Sequence, residues 1–401
     1  MSSIDKETKT AGALTELQTR PLAEQRELGY ADTLREILQQ PATWRATADM
    51  LRKTTALQVI SRAVNPMPGQ VVLTGSGSSM YIGECIAPTL QLGLGVPVQA
   101  IAAGTLLTHW RSVLPPQPGL LISVARSGDS PESAGVVSRL LADAPAWRHL
   151  VITCNARGKL AINYTDDPRV TVLVLDERTN DRSLVMTSSF TNLLLAGVGL
   201  AQGRSGEVVP AAIDRASTVV QRIFERQADA LAALAAREFS TAVYLGSGGA
   251  LGAAHECALK MLEMTGGQVL TMAETFLGLR HGPMSSVHPS TLVFGLLSPD
   301  PAVRAFEVDL LRELSRKRLG MAKLLVGEGI PVDLIGPHDV AIELDGLASQ
   351  AYEEAPTLLA GIAVGQLLAF FRCLSQGGKP DTPSQGVLTR VVEDFAIHGG
   401  Q

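Results

Sequence analysis

Three ionisable residues in the second half of the chain have the spacing of an acid–base cluster. Residues 255–263 read His-Glu-Cys-Ala-Leu-Lys-Met-Leu-Glu, so Glu256, Lys260 and Glu263 are spaced i, i+4 and i+7 on one helical face. Most such spacings are solvated stripes of salt bridges. Here the intervening residues are small or apolar, which predicts a buried helix whose carboxylates are paired or functional.

A histidine follows this helix in a loop bounded by glycine and proline, Leu279-Arg-His-Gly-Pro283. Such a loop suits the exposure of the His281 imidazole, although a single histidine serves structure as often as chemistry. His281 and Glu263 are therefore the candidate proton-transfer groups. Glu256 and Glu274 are the alternative bases.

A turn rich in hydroxyl groups follows a predicted strand in the first half, where residues 123–133 read SVARSGDSPES. Ser130 has the N-cap position of a helix and Pro131 the first helical position, both preferred there. Ser127 adds a hydroxyl, Gly128 allows close backbone approach, and the helix start offers free amides to an anion. Taken alone, this pattern is more often an ordinary capped turn.

A second turn, Gly75-Ser-Gly-Ser-Ser79, favours a phosphate site. It ends a strand of the same predicted sheet, so Ser78 and Ser79 can reach the same point if the two strands are neighbours. No Walker pattern is present, and Met80 and Leu251 stand where a dinucleotide fingerprint needs glycine. The expected ligand is a phosphorylated metabolite and not a nucleotide.

The elements that position these residues occur twice, about 170 residues apart. Residues 71–85 read VVLTGSGSSMYIGEC and residues 242–257 read AVYLGSGGALGAAHEC. Each copy runs from an apolar strand through a Gly-Ser-Gly loop into a helix of small residues. The repeat predicts an α/β fold of two tandem, doubly wound, parallel-sheet domains of flavodoxin-like type.

Periodicity and breakers place the other elements. Besides the strand at 71, strands are expected at 119–125, 149–154, 170–175, 241–245, 291–297, 322–326 and near 332–335. Helices are expected over 31–64 with a break at Pro41, and over 131–142, 184–202, 209–236 and 352–373. The predicted organisation is an extension and helix over 1–45, one domain over 46–208, a second over 209–375, and a tail over 376–401 that completes the active site. Residues 1–30 are expected to be peripheral.

Composition narrows the class of protein. A chain of 401 residues suits two domains, and although 46% of it is apolar we find no apolar run suited to spanning a bilayer. The polar start MSSIDKETKT lacks the apolar core of a signal peptide, which predicts a cytoplasmic protein without a membrane partner. The net charge of −5 without a basic cluster argues against nucleic acid. Four scattered cysteines, Cys85, Cys154, Cys257 and Cys373, predict buried thiols and neither disulfides nor zinc.

Over about residues 35–395 the chain resembles the double sugar-isomerase-domain (SIS) proteins. It is similar to the isomerase half of glucosamine-6-phosphate synthase. It resembles more closely the galactosamine-6-phosphate deaminase/isomerases, also called tagatose-6-phosphate ketose/aldose isomerases. The synthase motifs S-x-S-G-E-T, G-T-S, A-L-K-L-K-E and L-K-H-G-P match residues 125–130, Gly77-Ser-Ser79, Ala258-Leu-Lys-Met-Leu-Glu263 and Leu279–Pro283. Ala125 lacks the first hydroxyl of the phosphate motif, and Arg390 replaces a C-terminal catalytic lysine.

The resemblance implies roles for these residues. Glu263 would shuttle a proton between sugar carbons, His281 would open the ring, and the Arg390 guanidinium would orient sugar oxygens. No metal ion and no organic cofactor are implied. It also implies a homodimer or higher homo-oligomer in which one histidine comes from the neighbouring subunit. His255 is the candidate for that histidine by position, and a packed structural histidine is its alternative.

The implied reaction is the conversion of D-galactosamine 6-phosphate to D-tagatose 6-phosphate and ammonia. No glutamine amidotransferase domain precedes the predicted domains and the chain does not start with cysteine, so release of ammonia is the expected direction. An aldose–ketose isomerase of a hexose phosphate and a glucosamine-6-phosphate deaminase remain alternatives. A non-catalytic sugar-phosphate sensor is a third, against which Glu263 and His281 argue.

Overall fold

The computed structural model describes residues 12–202, 210–347, 354–384, 386–391 and 395–398. Within these ranges the strands form two parallel sheets of five strands each, with helices packed on both faces. The predicted α/β class with two tandem doubly wound sheets is therefore confirmed.

The first sheet has the order β2-β1-β3-β4-β5. Its strands are β1 Val71–Thr74, β2 Val98–Ala100, β3 Leu120–Ala125, β4 Arg148–Thr153 and β5 Val170–Val174. In the centre, β1 pairs with β3 so that Thr74 lies opposite Ser123. The turns that follow β1 and β3 therefore leave the sheet at the same edge.

The second sheet has the order β10-β9-β8-β6-β7. Its strands are β6 Thr241–Leu245, β7 Leu270–Glu274, β8 Thr291–Leu296, β9 Ala322–Gly327 and β10 Val340–Glu343. The order matches that of the first sheet, since β6 pairs with β7 and β8 as β1 pairs with β2 and β3. The repeat in the sequence is thus a repeat in topology.

Fifteen α-helices surround the sheets within the described ranges. Those preceding the first sheet are α1 Ala13–Thr19, α2 Leu22–Glu27, α3 Ala31–Leu38, α4 Gln40–Leu51 and α5 Thr54–Val64. Those of the first half are α6 Ser78–Leu94, α7 Ala103–Val113, α8 Pro131–Asp143, α9 Lys159–Ile162 and α10 Ser188–Gln202. Those of the second half are α11 Pro210–Arg226, α12 Ala228–Ala235, α13 Gly249–Met264, α14 Pro301–Lys317 and α15 Ala355–Ser375. Short 3-10 helices span Glu177–Thr179, Gly278–His281, Pro283–Ser286 and Val332–Leu334.

Two local expectations were wrong. The strand expected near 332–335 is a 3-10 helix that follows Pro331, and the edge strand β10 lies further on. The single helix expected over 209–236 is divided at Gln227 into α11 and α12. The segment 12–30, expected to be peripheral, forms the mostly exposed helices α1 and α2 and ends at the buried Tyr30. Residues 1–11 lie outside the described ranges.

Helix α15 is the central helix of the core. It is long and apolar enough to cross a membrane by length and composition, but 89% of its apolar window is buried inside the protein. It packs against α13, where a Cβ atom on Gly365 would lie 2.3 Å from Cys257 Sγ. A buried α15 fixes the position of α13, the helix that carries the predicted acid–base residues.

Candidate active site

The two turns rich in hydroxyl groups line one pocket. The strand β1 leads through Gly75-Ser-Gly77 into α6, whose first residues are Ser78 and Ser79. The strand β3 leads through residues 126–130 into α8. Both turns border a pocket of about 290 Å³, which Ser76, Gly77, Ser78, Ser79, Ser127 and Ser130 help to line. The structure thus brings the predicted phosphate-binding serines together.

Backbone geometry at two glycines shapes these turns. Gly77 caps α6 with φ of 56° and Gly128 has φ of 69°, a left-handed conformation that favours glycine. Pro131 opens α8 after the N-cap residue Ser130, as the sequence predicts. The Ser130 hydroxyl does not cap the helix, because it donates to the Glu132 carboxylate at 2.6 Å. The first amides of α8 consequently have no side-chain cap.

Two arginines add positive charge to the pocket wall. Arg126, which directly precedes Ser127, is buried and donates to the carbonyl oxygens of Ser183 at 3.1 Å and Leu184 at 2.9 Å. Burial, together with the nearby Arg390 charge, lowers the pKa of Arg126. Arg390 comes from the C-terminal tail and donates to Asn180 Oδ1 at 2.6 Å. Both guanidinium groups border the cavity in which the serines lie.

The acid–base cluster on α13 lies beside these serines. Lys260 is fully buried, donates to Ser78 Oγ at 3.0 Å and to Glu263 Oε2, and lies 3.4 Å from Glu256 Oε1. Burial lowers the pKa of Lys260, but the carboxylates of Glu256 and Glu263 outweigh that effect, so the pKa is raised. Lys260 is therefore a fixed cation between the side chains of Glu256 and Glu263.

The two carboxylates of the cluster differ in environment. Glu256 is completely buried, and burial raises its pKa to about 8 while Lys260 opposes that rise. Glu263 keeps 23% of its side chain exposed and lines the pocket, where Lys260 holds its carboxylate. Glu263 is thus placed to reach a bound molecule, whereas Glu256 is enclosed behind it.

Three other predicted site residues lie apart from the pocket lining that the structure describes. His255 pairs through Nδ1 with Glu84 Oε2 at 2.6 Å and stacks on Tyr81 with ring centroids 5.1 Å apart. Glu274 ends β7 and accepts from the amide of Thr275 at 2.7 Å. His281 lies exposed at the end of a 3-10 helix.

The two halves of the site meet through the helices α6 and α13. Gly248 caps α13 with φ of 57° and ψ of −129°, nearly the angles of Gly77 in the first copy. A Cβ atom on Gly252 would lie 2.6 Å from the Cys85 amide nitrogen, so the helices approach at backbone distance. This close approach brings Ser78 within hydrogen-bond distance of Lys260.

Two site residues were missed in the sequence. Arg126 lies inside the motif of residues 123–133, whose pattern of hydroxyl groups does not indicate a role for an arginine. The spacing of Lys260 with Glu256 and Glu263 predicts a shared helical face but no separate role for the lysine. In both cases a basic residue among buried neighbours is the signal that could have identified it.

No protein-family model matches the chain. A Streptomyces coelicolor protein, provisionally named D-galactosamine-6-phosphate deaminase AgaS, is 36% identical over 380 residues, or 91% of this chain and 95% of that protein. The Escherichia coli D-galactosamine-6-phosphate deaminase AgaS is 32% identical over 392 residues, or 92% of this chain and 96% of that protein. A solved structure from Clostridium novyi, provisionally assigned as a tagatose-6-phosphate ketose/aldose isomerase, is 30% identical. It superposes with a TM-score of 0.86 over 94% of this chain and 97% of its own.

Proposed function

This chain belongs to the D-galactosamine-6-phosphate deaminase AgaS family, and we propose that it converts D-galactosamine 6-phosphate and water to D-tagatose 6-phosphate and ammonia. The observation that carries this proposal is the shared pocket of hydroxyl groups, guanidinium groups and Glu263. One end of such a pocket suits a phosphate dianion and the other suits proton transfer at carbon.

The phosphate end would anchor the substrate. Ser127, Ser78 and Ser79 offer hydroxyl donors, and Ser130 would join them by exchanging its bond to Glu132 for one to the phosphate. The uncapped amides at the start of α8 add backbone donors. Arg126 supplies charge, and Arg390 lies at the same wall to orient phosphate or sugar oxygens. Binding energy at this end would hold the sugar carbons in place near Glu263.

Glu263 would perform the central proton transfer. In the open-chain substrate its carboxylate removes the proton from C2 while the C1 oxygen takes a proton from solvent, which gives an enolamine between C1 and C2. The same carboxyl group then delivers its proton to C1 while the nitrogen on C2 gives one proton to solvent, which leaves an imine at C2. Water adds to that imine and ammonia leaves, so that the C2 ketone of the product forms. Lys260 keeps the carboxylate in one orientation through each step. The scheme needs neither a metal ion nor an organic cofactor.

Ring opening would need a second proton-transfer group, and no histidine lies among the described residues that line the pocket of one chain. His281 is exposed, whereas His255 is already engaged by Glu84 in the same chain. We therefore assign ring opening to His281 of a second copy in a homodimer or larger homo-oligomer. Since a sugar phosphate dianion does not cross a bilayer unaided, the enzyme would act in the cytoplasm.

Mixing of two inactive variants tests the shared site. Co-expressed Glu263→Gln and His281→Ala chains should regain activity, because some oligomers contain one pocket with both native residues. Each variant alone should release far less ammonia. If the mixture is no more active than its parts while size analysis shows mixed oligomers, His281 acts within its own chain or not at all.

A substrate panel tests the reaction itself. Purified protein is mixed with galactosamine 6-phosphate, glucosamine 6-phosphate, unphosphorylated galactosamine and tagatose 6-phosphate, and both free ammonia and ketose are measured. We expect ammonia and ketose in equal amounts from galactosamine 6-phosphate and little reaction without the phosphate. Isomerisation without ammonia would identify a plain aldose–ketose isomerase, and preference for the gluco epimer would reassign the substrate.

A further inference from the structure

One wall of the pocket is a loop outside both motifs, residues 180–187, between a 3-10 helix and α10. Leu184 and Met186 of this loop line the pocket. Its carbonyl groups at 183 and 184 accept both hydrogen bonds that position the Arg126 guanidinium. The position of Arg126 therefore depends on where this loop lies.

The loop is held from a helix that precedes both sheets. Glu36 of α3 is 1% exposed, and its Oε1 accepts from the Arg182 amide at 2.6 Å. Its Oε2 accepts from the Ser183 hydroxyl, and the Ser183 amide points at the same carboxylate. Glu36 therefore hydrogen-bonds to Ser183, and the carbonyl oxygen of Ser183 accepts a hydrogen bond from Arg126.

We propose that Glu36 is a positioning residue for substrate binding, acting through residues 182–184 on Arg126. The proposal rests on the proposed function, because it takes the pocket to be the phosphate-binding site. It gives the N-terminal helices a part in the active site that their distance from the motifs in the sequence does not suggest.

A second buried carboxylate, that of Asp181, stabilises the loop itself, so the loop can form without Glu36. Asp181 is also buried and accepts from the amides of Thr187 and Ser189 at 2.8 Å each and from the Ser188 hydroxyl at 2.6 Å. These bonds close the loop on itself and onto the start of α10. Glu36 instead joins the loop to a different element, so its loss should shift the loop without dissolving it.

The charges around Glu36 allow a second readout. It faces Arg35 of its own helix at 2.9 Å and the Asp181 carboxylate of the loop, with Arg126 beyond. Burial, followed by Asp181, raises the pKa of Glu36 to about 7. Protonation of Glu36 as pH falls below 7 removes acceptor capacity from the contacts with residues 182 and 183, so loop contact and substrate affinity weaken together.

The test is Glu36→Gln, which keeps the shape but turns one acceptor oxygen into an NH₂ group that faces a donor. We expect KM for the sugar phosphate to rise about 5- to 30-fold while kcat changes less than about threefold, since the contacts act on binding. In wild type, KM should also rise as pH falls below 7, and the variant should lack that part of the profile.

Glu307→Gln is the matched control. Glu307 is another 1% exposed carboxylate that accepts from a loop amide, Ser298 N at 2.8 Å, but it lies in the second half on α14. Glu307→Gln should lower the stability of the protein to a similar degree as Glu36→Gln, but its KM should equal that of wild type. Equal KM in Glu36→Gln and wild type, or an equal rise in both variants, would overturn the positioning role.

Ser183→Ala provides a milder variant if Glu36→Gln does not fold, since it removes one donor to the carboxylate. A smaller rise of KM of the same kind is expected, and an unchanged KM counts against the proposal. If wild type releases no ammonia, the proposed function fails, and the variants are compared by calorimetric titration with galactosamine 6-phosphate. Equal affinities, or no binding to wild type, would then refute the inference.

Discussion

Replacement of Glu263 by glutamine isolates the chemical step. Glutamine keeps the size of the side chain and one acceptor, but it cannot take the C2 proton. Loss of a positioned general base lowers kcat by roughly 10²- to 10⁴-fold, which corresponds to about 2.7–5.4 kcal/mol of barrier. In this variant Lys260 still has Glu256 as a partner, because Lys260 Nζ lies 3.4 Å from Glu256 Oε1. The loss of the Lys260–Glu263 contact should therefore cost only about 1–3 kcal/mol of folding stability.

Incorporation of deuterium from D₂O tests this prediction directly. Wild type should place solvent deuterium at C1 of the ketose product, and Glu263→Gln should show neither deuterium nor ammonia while its affinity for the sugar phosphate stays close to wild type. Glu132→Gln is the matched control, because Glu132 is a second carboxylate in the same pocket, bonded to Ser130. Its kcat should stay within about threefold of wild type. Near-normal turnover in Glu263→Gln would show that the base lies elsewhere, with Glu256 or Glu274 the next to test.

Three further outcomes follow from the structure. Ser127→Ala should raise KM by the equivalent of about 1.5–3 kcal/mol with kcat little changed, and equal kinetics for phosphorylated and unphosphorylated amino sugar would contradict the phosphate assignment. Burial raises the pKa of Glu256 from 4.5 to about 8, so the folded state retains a proton that the unfolded chain releases. That stability is complete below pH 4.5 and is lost as pH rises through 8, so urea unfolding of Glu256→Gln should lack this part of the slope. Gly252→Ala should cost about 1–3 kcal/mol in thermal unfolding and lower activity, because its Cβ would lie 2.6 Å from a backbone nitrogen, whereas Gly104→Ala, with open space around it, should do neither.

Much of the fold could be predicted because the strands in the interior of the sheets are continuous apolar runs. The expected strand at 241–245 matches β6, and the expected strand at 119–125 differs from β3 by one residue. The strands that were missed, β2 and β7, lie at sheet edges, where partial exposure removes the apolar signal. The apolar run near 332–335 predicts a strand before the true position of β10, because so short a run does not distinguish a strand from a turn of 3-10 helix.

The site was predictable where backbone geometry imposes residue types. The Gly-Ser-Gly turns and the Ser130-Pro131 helix start are visible in sequence because positive φ and helix capping restrict the choice of residue. The role of Arg126 depends on a contact with residues 183 and 184, more than fifty positions away. No local sequence pattern predicts such a contact. The contact between His255 and Glu84 could not be predicted either, because it joins one copy of the repeat to the other.

The contact between Ser78 and Lys260 joins α6 of the first half to α13 of the second across a hydrophobic core that both halves share. The arrangement of the candidate site therefore depends on how the two halves dock and on neither half alone. A displacement of α6 from α13 by an ångström or two would leave both sheets hydrogen-bonded and most apolar side chains covered. In a denaturant titration, turnover should accordingly be lost at a lower denaturant concentration than the circular dichroism signal. Loss of activity would then report separation of the two halves before either half unfolds.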